Sequence, residues 1–161
     1  MKSTKFSESI EINDGAALIF DYTQDYRNRL KWDTFLIEAY LLNGETKADK
    51  GVKAWCVAKN GMGMETEYVS FNRPKVAAIK MTKGPFMFSD FAASWTFLDS
   101  GNDLTKVTFL YSYRLRFPFN VIGVWIKFIL RRNVRQRLKD LKNRFSEINL
   151  KTGSYLNNDA E

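Results

Sequence analysis

Apolar and polar residues alternate from 5 to 12, with Phe6, Ile10 and Ile12 on one side and Lys5, Ser7, Ser9 and Glu11 on the other. That period of two is the mark of a half-buried strand. Asn13 and Asp14 follow, short side chains that can cap a helix by accepting from the free amides of its first turn. The spacing predicts that helix over 16–22 and a second helical piece over 26–35, broken from the first near Gln24 and Asp25 and carrying Trp32.

From residue 36 the pattern changes to strands, predicted at 36–42, 51–59, 62–71, 75–83, 86–98 and 103–115. Turn chemistry separates them: Asn43 and Gly44, Asn60 and Gly61, Asn72 to Pro74, Gly84 and Pro85, Ser100 to Asn102. Such regular punctuation predicts an antiparallel meander. The last strand alternates most clearly, Val107, Phe109, Tyr111, Tyr113 and Leu115 against Lys106, Thr108, Ser112 and Arg114, so one face meets apolar matter and the other water.

After Phe117 and Pro118 the period becomes helical. Leu130, Val134, Leu138, Leu141, Phe145 and Ile148 step by three and four, so one side of a long helix is predicted to be buried. Residues 1–152 are read as a single domain and 153–161 as a flexible polar tail. Helices segregated from a run of strands make an α+β arrangement: seven antiparallel strands, two short helices after the first, and one long C-terminal helix. A sheet of that size coils, and the long helix laid over its concave face would leave a cavity that it cannot fill.

Composition narrows the chemistry. The chain has 161 residues and no His, which removes His-based triads, zinc sites and haem ligation by His. No metal or other cofactor is expected. Cys56 is the sole cysteine and cannot form an internal disulfide; its apolar, alternating neighbours predict a buried strand face and a reducing compartment. The start MKSTKFSESIEI lacks the apolar core of a signal peptide, and no stretch suits a membrane span, so a cytoplasmic location is expected. Net charge is +7, concentrated in Arg131, Arg132, Arg135, Arg137, Lys139, Lys142 and Arg144 with only Asp140 against them. Nucleic acid is not the expected partner, because no recognised motif accompanies these cations and the apolar stripe commits one helix face to the core.

Several segments together resemble the SRPBCC superfamily, also called START-like or Bet-v-like, and its polyketide cyclase/dehydrase branch in particular. They are SESIEIND with the helix ALIFDYTQD, RLKWD ending at Trp32 and Asp33, EYVSFNRP, the hairpin SWTFLDSGNDLTKVTF and the helix RQRLKDLKNRFSE. The resemblance implies a helix-grip fold around a hydrophobic cavity that in different members holds lipids, polyketides, sterols or hormones. It implies binding or transport of an apolar small molecule, with a cyclase/dehydrase-like enzyme lacking metal and His as the alternative.

Phe91, Ala93, Trp95 and Phe97 alternate on one predicted strand and Phe109, Tyr111 and Tyr113 on the next, and these are the foremost candidates to touch a ligand. A buried Tyr needs a hydrogen-bond partner, which a ligand carbonyl or hydroxyl would supply. Glu8 shares the inward face of Phe6, Ile10 and Ile12, where an unpaired carboxylate is costly. It would pair with a Tyr hydroxyl, orient a ligand, act as a desolvated general base, or reach water at an open strand end. Trp32 stands where the resembling family closes the cavity mouth. The segment 117–130 is apolar nearly all round. Val121, Trp125 and Phe128 would line the cavity, the remaining side packing under the short helices; alternatively Val121, Val124, Trp125 and Phe128 would enter a membrane surface whose anionic headgroups meet the cations that follow. Oligomeric state is left open.

Overall fold

The computed structural model describes residues 3–158, and its element order is the predicted one. Strand β1 (Thr4–Asn13) leads into helices α1 (Ala16–Gln24) and α2 (Tyr26–Trp32). Strands β2 (Leu36–Leu41), β3 (Lys53–Ala58), β4 (Gly63–Asn72), β5 (Val76–Lys83), β6 (Phe88–Asp99) and β7 (Leu104–Leu115) follow. A short 3-10 turn, Phe119–Ile122, feeds the long helix α3 (Gly123–Asn158). The predicted tail begins at 153; α3 continues to Asn158, and residues 159–161 lie outside the described residues.

All seven strands form one antiparallel sheet in the order β1-β7-β6-β5-β4-β3-β2. Each strand from β2 to β7 pairs with the next in sequence, and β1 closes onto the outer side of β7, with Phe6 opposite Tyr111 and Ile10 opposite Val107. Between β6 and β7, Phe91 faces Tyr113, Ala93 faces Tyr111 and Trp95 faces Phe109. The inward side chains of these three strands therefore form continuous rows. Register shifts interrupt β2/β3, β4/β5 and β6/β7 pairing at Leu36/Glu38, Tyr68/Ser70 and Phe88/Asp90, the kind of irregularity that bends a sheet locally. The curled sheet, with α3 across its concave side, is the helix-grip fold.

Two local expectations are corrected. Asn13 and Asp14 do not cap α1: Gly15 holds the cap position without a side-chain bond, and Asp14 spends its carboxylate on the Gly15 amide at 2.8 Å. Helix α2 stops at Trp32 rather than near 35, because Asp33 leaves helical geometry and turns its carboxylate into the interior. Asp25, at the predicted break between the two helices, is the residue that caps α2, accepting from the Arg27 amide at 3.0 Å. At the β3–β4 turn Gly61 takes φ +82, a left-handed conformation that glycine adopts without steric cost.

The core is a sheet-to-helix layer. Val134, Leu138, Leu141 and Phe145 of α3 are each at most 2% exposed and meet Ile12, Val107 and the α1 residues Ile19 and Phe20 in one cluster. Helix α1 seals one end of the half-barrel, where Phe20 packs edge-on against Phe71 and Phe97.

Candidate functional site

Toward the other end, α3 and the sheet part company around a pocket of about 330 Å³. That volume is at the small end of the roughly 300–1,000 Å³ usual for small-molecule sites. Helix α3 packs along β1 and β7, and near its start Ile126, Ile129 and Leu130 border the gap that opens toward β4, β5 and β6. Across the gap stand Met64, Ile79, Met87, Phe91 and Ala93. On α3 the lining runs from Ile126 to Arg137, roughly 16 Å at the helical rise.

One wall is aromatic. Trp95 lies flat on Phe109 with ring centroids 3.7 Å apart, and Phe91 meets Tyr111 edge-on at 4.8 Å. Five predicted contacts, Phe91, Ala93, Trp95, Phe109 and Tyr111, line the pocket.

The other seven predicted contacts are elsewhere. Trp32 is buried behind Trp95, edge-on at 6.0 Å, and its indole N–H has no partner among the described residues. Phe97 packs between Trp95 and Phe20, and Tyr113 between Phe6 and Phe88. Strand alternation selects the inward face but cannot separate a side chain facing α3 directly from one facing the void. Val121, Trp125 and Phe128 point to solvent, 76%, 71% and 62% exposed. They do not pack under the short helices either: the helical period gives the inward face to Ile126 and Leu130, with Ile129 at its edge, so Trp125 and Phe128 are turned outward.

Glu8 does face inward, yet it meets neither a Tyr nor the pocket. Arg131 and Arg135 of α3 both grip its carboxylate, Arg135 at 3.0 Å. Burial alone would raise the Glu8 carboxyl, but the hydrogen bonds and charges of Arg135 and Arg131 outweigh it and hold the group below its ordinary value of 4.5. A carboxylate so held is a poor proton acceptor. Its depressed value also sets a sign: the pair contributes stability above the unfolded Glu range and loses it as pH falls through the lower folded value. Urea titrations of Glu8→Gln across the acid limb should accordingly show a shallower loss of stability below pH 4.5 than wild type; superimposable limbs would mean that the pair is energetically idle.

The polar end of the pocket was not visible in the sequence. Asp33, with no solvent exposure, is shared by two buried arginines. Arg29 reaches it at 3.1 Å from the same helical turn, and Arg137 reaches it from α3 through Nε at 3.1 Å and Nη2 at 2.7 Å. Arg137 also donates to the Tyr111 hydroxyl at 2.8 Å. Aromatic faces hold the guanidiniums in place, Trp32 under Arg29 and Phe109 under Arg137, each at 4.9 Å. Beside them Tyr68 donates to Gln24 Oε1 at 2.8 Å, with Tyr26 and Cys56 adjoining. Burial keeps the Tyr26, Tyr68 and Tyr111 phenols and the Cys56 thiol above their ordinary values, so all four stay protonated near neutral pH. The array is one of hydrogen-bond donors rather than of bases or nucleophiles.

A signal for part of this existed. Arg137 lies three residues after Val134 and four before Leu141, on the buried stripe itself, and Arg29 and Asp33 are one helical turn apart. Arg137 also belongs to the run of seven cations, which masks its place on the stripe.

Among the described residues no helix is long and apolar enough to cross a membrane, and no group of His, Cys, Asp and Glu is arranged to hold a metal ion. Comparison with solved structures places the fold. A START superfamily protein from Mycobacterium smegmatis superposes with a TM-score of 0.76 at 14% identity, over 89% of this chain and 98% of that one. The Zhui aromatase/cyclase from Streptomyces sp. R1128 gives 0.75 at 11% identity, over 90% and 94%. Major latex-like protein 151 from Panax ginseng gives 0.67 at 15% identity, over 89% and 97%. No curated protein matches the chain in sequence. The family described as polyketide cyclase/dehydrase and lipid transport matches residues 3–146, the whole of the sheet and most of α3. With its curled sheet, its long covering helix and a sequence match that runs almost from end to end, the chain belongs to the polyketide cyclase/dehydrase and lipid transport family.

Proposed function

We propose that the protein binds and carries an apolar small molecule, lipid-like or polyketide-like, in the pocket between β4–β7 and α3. The observation behind this is the gap itself, about 330 Å³ walled mainly by Met, Ile, Leu, Ala and aromatic side chains. Apolar contact in such a site supplies affinity, and a few polar groups set orientation. A single cysteine suits a reducing compartment, and the reading is of a cytoplasmic carrier.

Trp95 in the pocket wall makes the reading testable. Titrating a panel of lipophiles should quench tryptophan emission saturably. Ala93→Phe, which fills the gap from the centre of the sheet, should weaken that binding by tenfold or more while costing about 1–3 kcal/mol of stability. If no lipophile binds the folded wild-type protein, the reading fails.

A separate observation favours a second reading, docking on an anionic lipid surface. Phe117, Val121, Val124, Trp125 and Phe128 are 62% to 83% exposed around the start of α3, and the exposed Arg132 and Lys139 continue the outward stripe beyond them. Apolar side chains followed at once by cations fit the boundary between acyl chains and anionic headgroups. Ile129 belongs to both the exposed surface and the pocket lining, so such docking would bring the pocket to the lipid. Wild-type protein should sediment with phosphatidylserine vesicles, less with phosphatidylcholine vesicles and less at high salt. Trp125→Ser should cut the bound fraction several-fold. Equal indifference to lipid charge, salt and Trp125 would reject docking, and concentration-dependent dimerisation lost in the same variant would assign the patch to a second copy instead.

A further inference from the structure

The polar end of the pocket is out of balance in charge and in hydrogen bonding, and both imbalances have the same sign. Two guanidiniums, Arg29 and Arg137, face one carboxylate, Asp33, leaving one positive charge in a region where each of the three residues is at most 6% exposed. The other acids on the inward side do not offset it. Glu65 is held by Lys53 at 3.2 Å and Lys83 at 3.6 Å, and Glu8 by Arg131 and Arg135. An uncompensated buried cation is costly and persists where something answers it.

The donor count runs the same way. A guanidinium carries five N–H groups, and Arg29 commits two of them, to Asp33 and to the Thr23 carbonyl. Gln24 is 5% exposed and lines the pocket; Tyr68 occupies its oxygen, while its Nε2 amide has no acceptor among the described residues. Tyr111 accepts from Arg137, which leaves its own proton free to be given to the pocket. Buried donors without acceptors are rare in folded proteins and mark a place for an absent partner.

We infer that the guest is an amphipathic acid whose carboxylate seats against Arg29, Gln24 and Tyr111 while its apolar body runs toward Met87 and Ile126. A carboxylate supplies one negative charge and acceptor positions for the unused N–H and O–H groups, and a guanidinium fork matches its geometry. The inference rests on the pocket-binding reading above and narrows it to one class of ligand.

The test compares decanoic acid with decanol at neutral pH, by tryptophan quenching, on wild type, Arg29→Met and Gln24→Leu. Arg29→Met keeps much of the apolar stem and leaves Asp33 and Arg137 as a neutral pair, so it should fold. Wild type should bind the acid at least tenfold more tightly than the alcohol. That preference should vanish in Arg29→Met and shrink in Gln24→Leu. Equal affinities for acid and alcohol in wild type overturn the carboxylate site while the pocket reading stands. A preference for the acid that survives in both folded variants overturns it as well, by moving the carboxylate elsewhere. Failure of wild type to bind either compound overturns the pocket reading and the inference with it.

Discussion

Asp33→Asn should lower stability by about 3–5 kcal/mol, read as a lower urea midpoint and a melting temperature reduced by roughly 6–20 °C for a chain of this length. The substitution keeps shape and volume but removes the charge that Arg29 and Arg137 share, leaving two guanidiniums in a nearly water-free interior. The penalty comes from the cations left behind rather than from the strength of the bonds lost. For that reason the triple variant Asp33→Leu, Arg29→Met, Arg137→Met should recover most of the stability, as replacement of a whole buried ionic group by apolar residues often does. An Asp33→Asn midpoint equal to wild type would show that the guanidiniums reach water, and the charge argument for the pocket would go with it.

Phe145→Ala should cost a similar amount, about 3–5 kcal/mol, for a different reason. The ring is 1% exposed and stands edge-on to Tyr22 at 5.4 Å, in the core cluster that also holds Val134, Leu138 and Leu141. Removing it deletes apolar contact and leaves a hole that rigid strands close poorly. Because Phe145 does not line the pocket, the folded fraction should bind lipophiles with wild-type affinity; loss of binding at full folding would mean that the two ends of the half-barrel are coupled. A domain is stable by about 5–15 kcal/mol in all, so either variant brings the protein close to its limit.

The two variants fall on opposite sides of what could be read from the chain. Phe145 belongs to a stripe whose steps of three and four announce a buried helix face, and the structure buries Val134, Leu138 and Leu141 with it. The alternation in β7 likewise marked Phe109, Tyr111 and Tyr113 as inward, and all three are. Asp33 carried no comparable sign. Its partner Arg137 lies 104 residues away, and nothing in a period of two or 3.6 reports on a pairing between elements.

The same limit explains which ligand candidates line the pocket. Trp95 and Phe97 are alternate residues on one strand, equally inward; the first borders the gap and the second is packed under α1. Val121, Trp125 and Phe128 lie in a segment apolar on nearly every side, where periodicity has no contrast with which to tell pocket lining from a face turned to water. Alternation puts Glu8 on the inward face but does not name its partners, Arg131 and Arg135, since the sequence does not say how far α3 slides along β1.

The chain by itself determined the order and type of its elements, their turns, their inward faces and the family they compose, because each of these is set by neighbours within a few residues. Three things waited on the tertiary structure: where α3 stands away from the sheet, which arginines turn inward to share Asp33, and which apolar residues are left facing water. Each depends on the distance between surfaces far apart in sequence, and the free energy of a buried charge or an empty volume exists only once those surfaces meet.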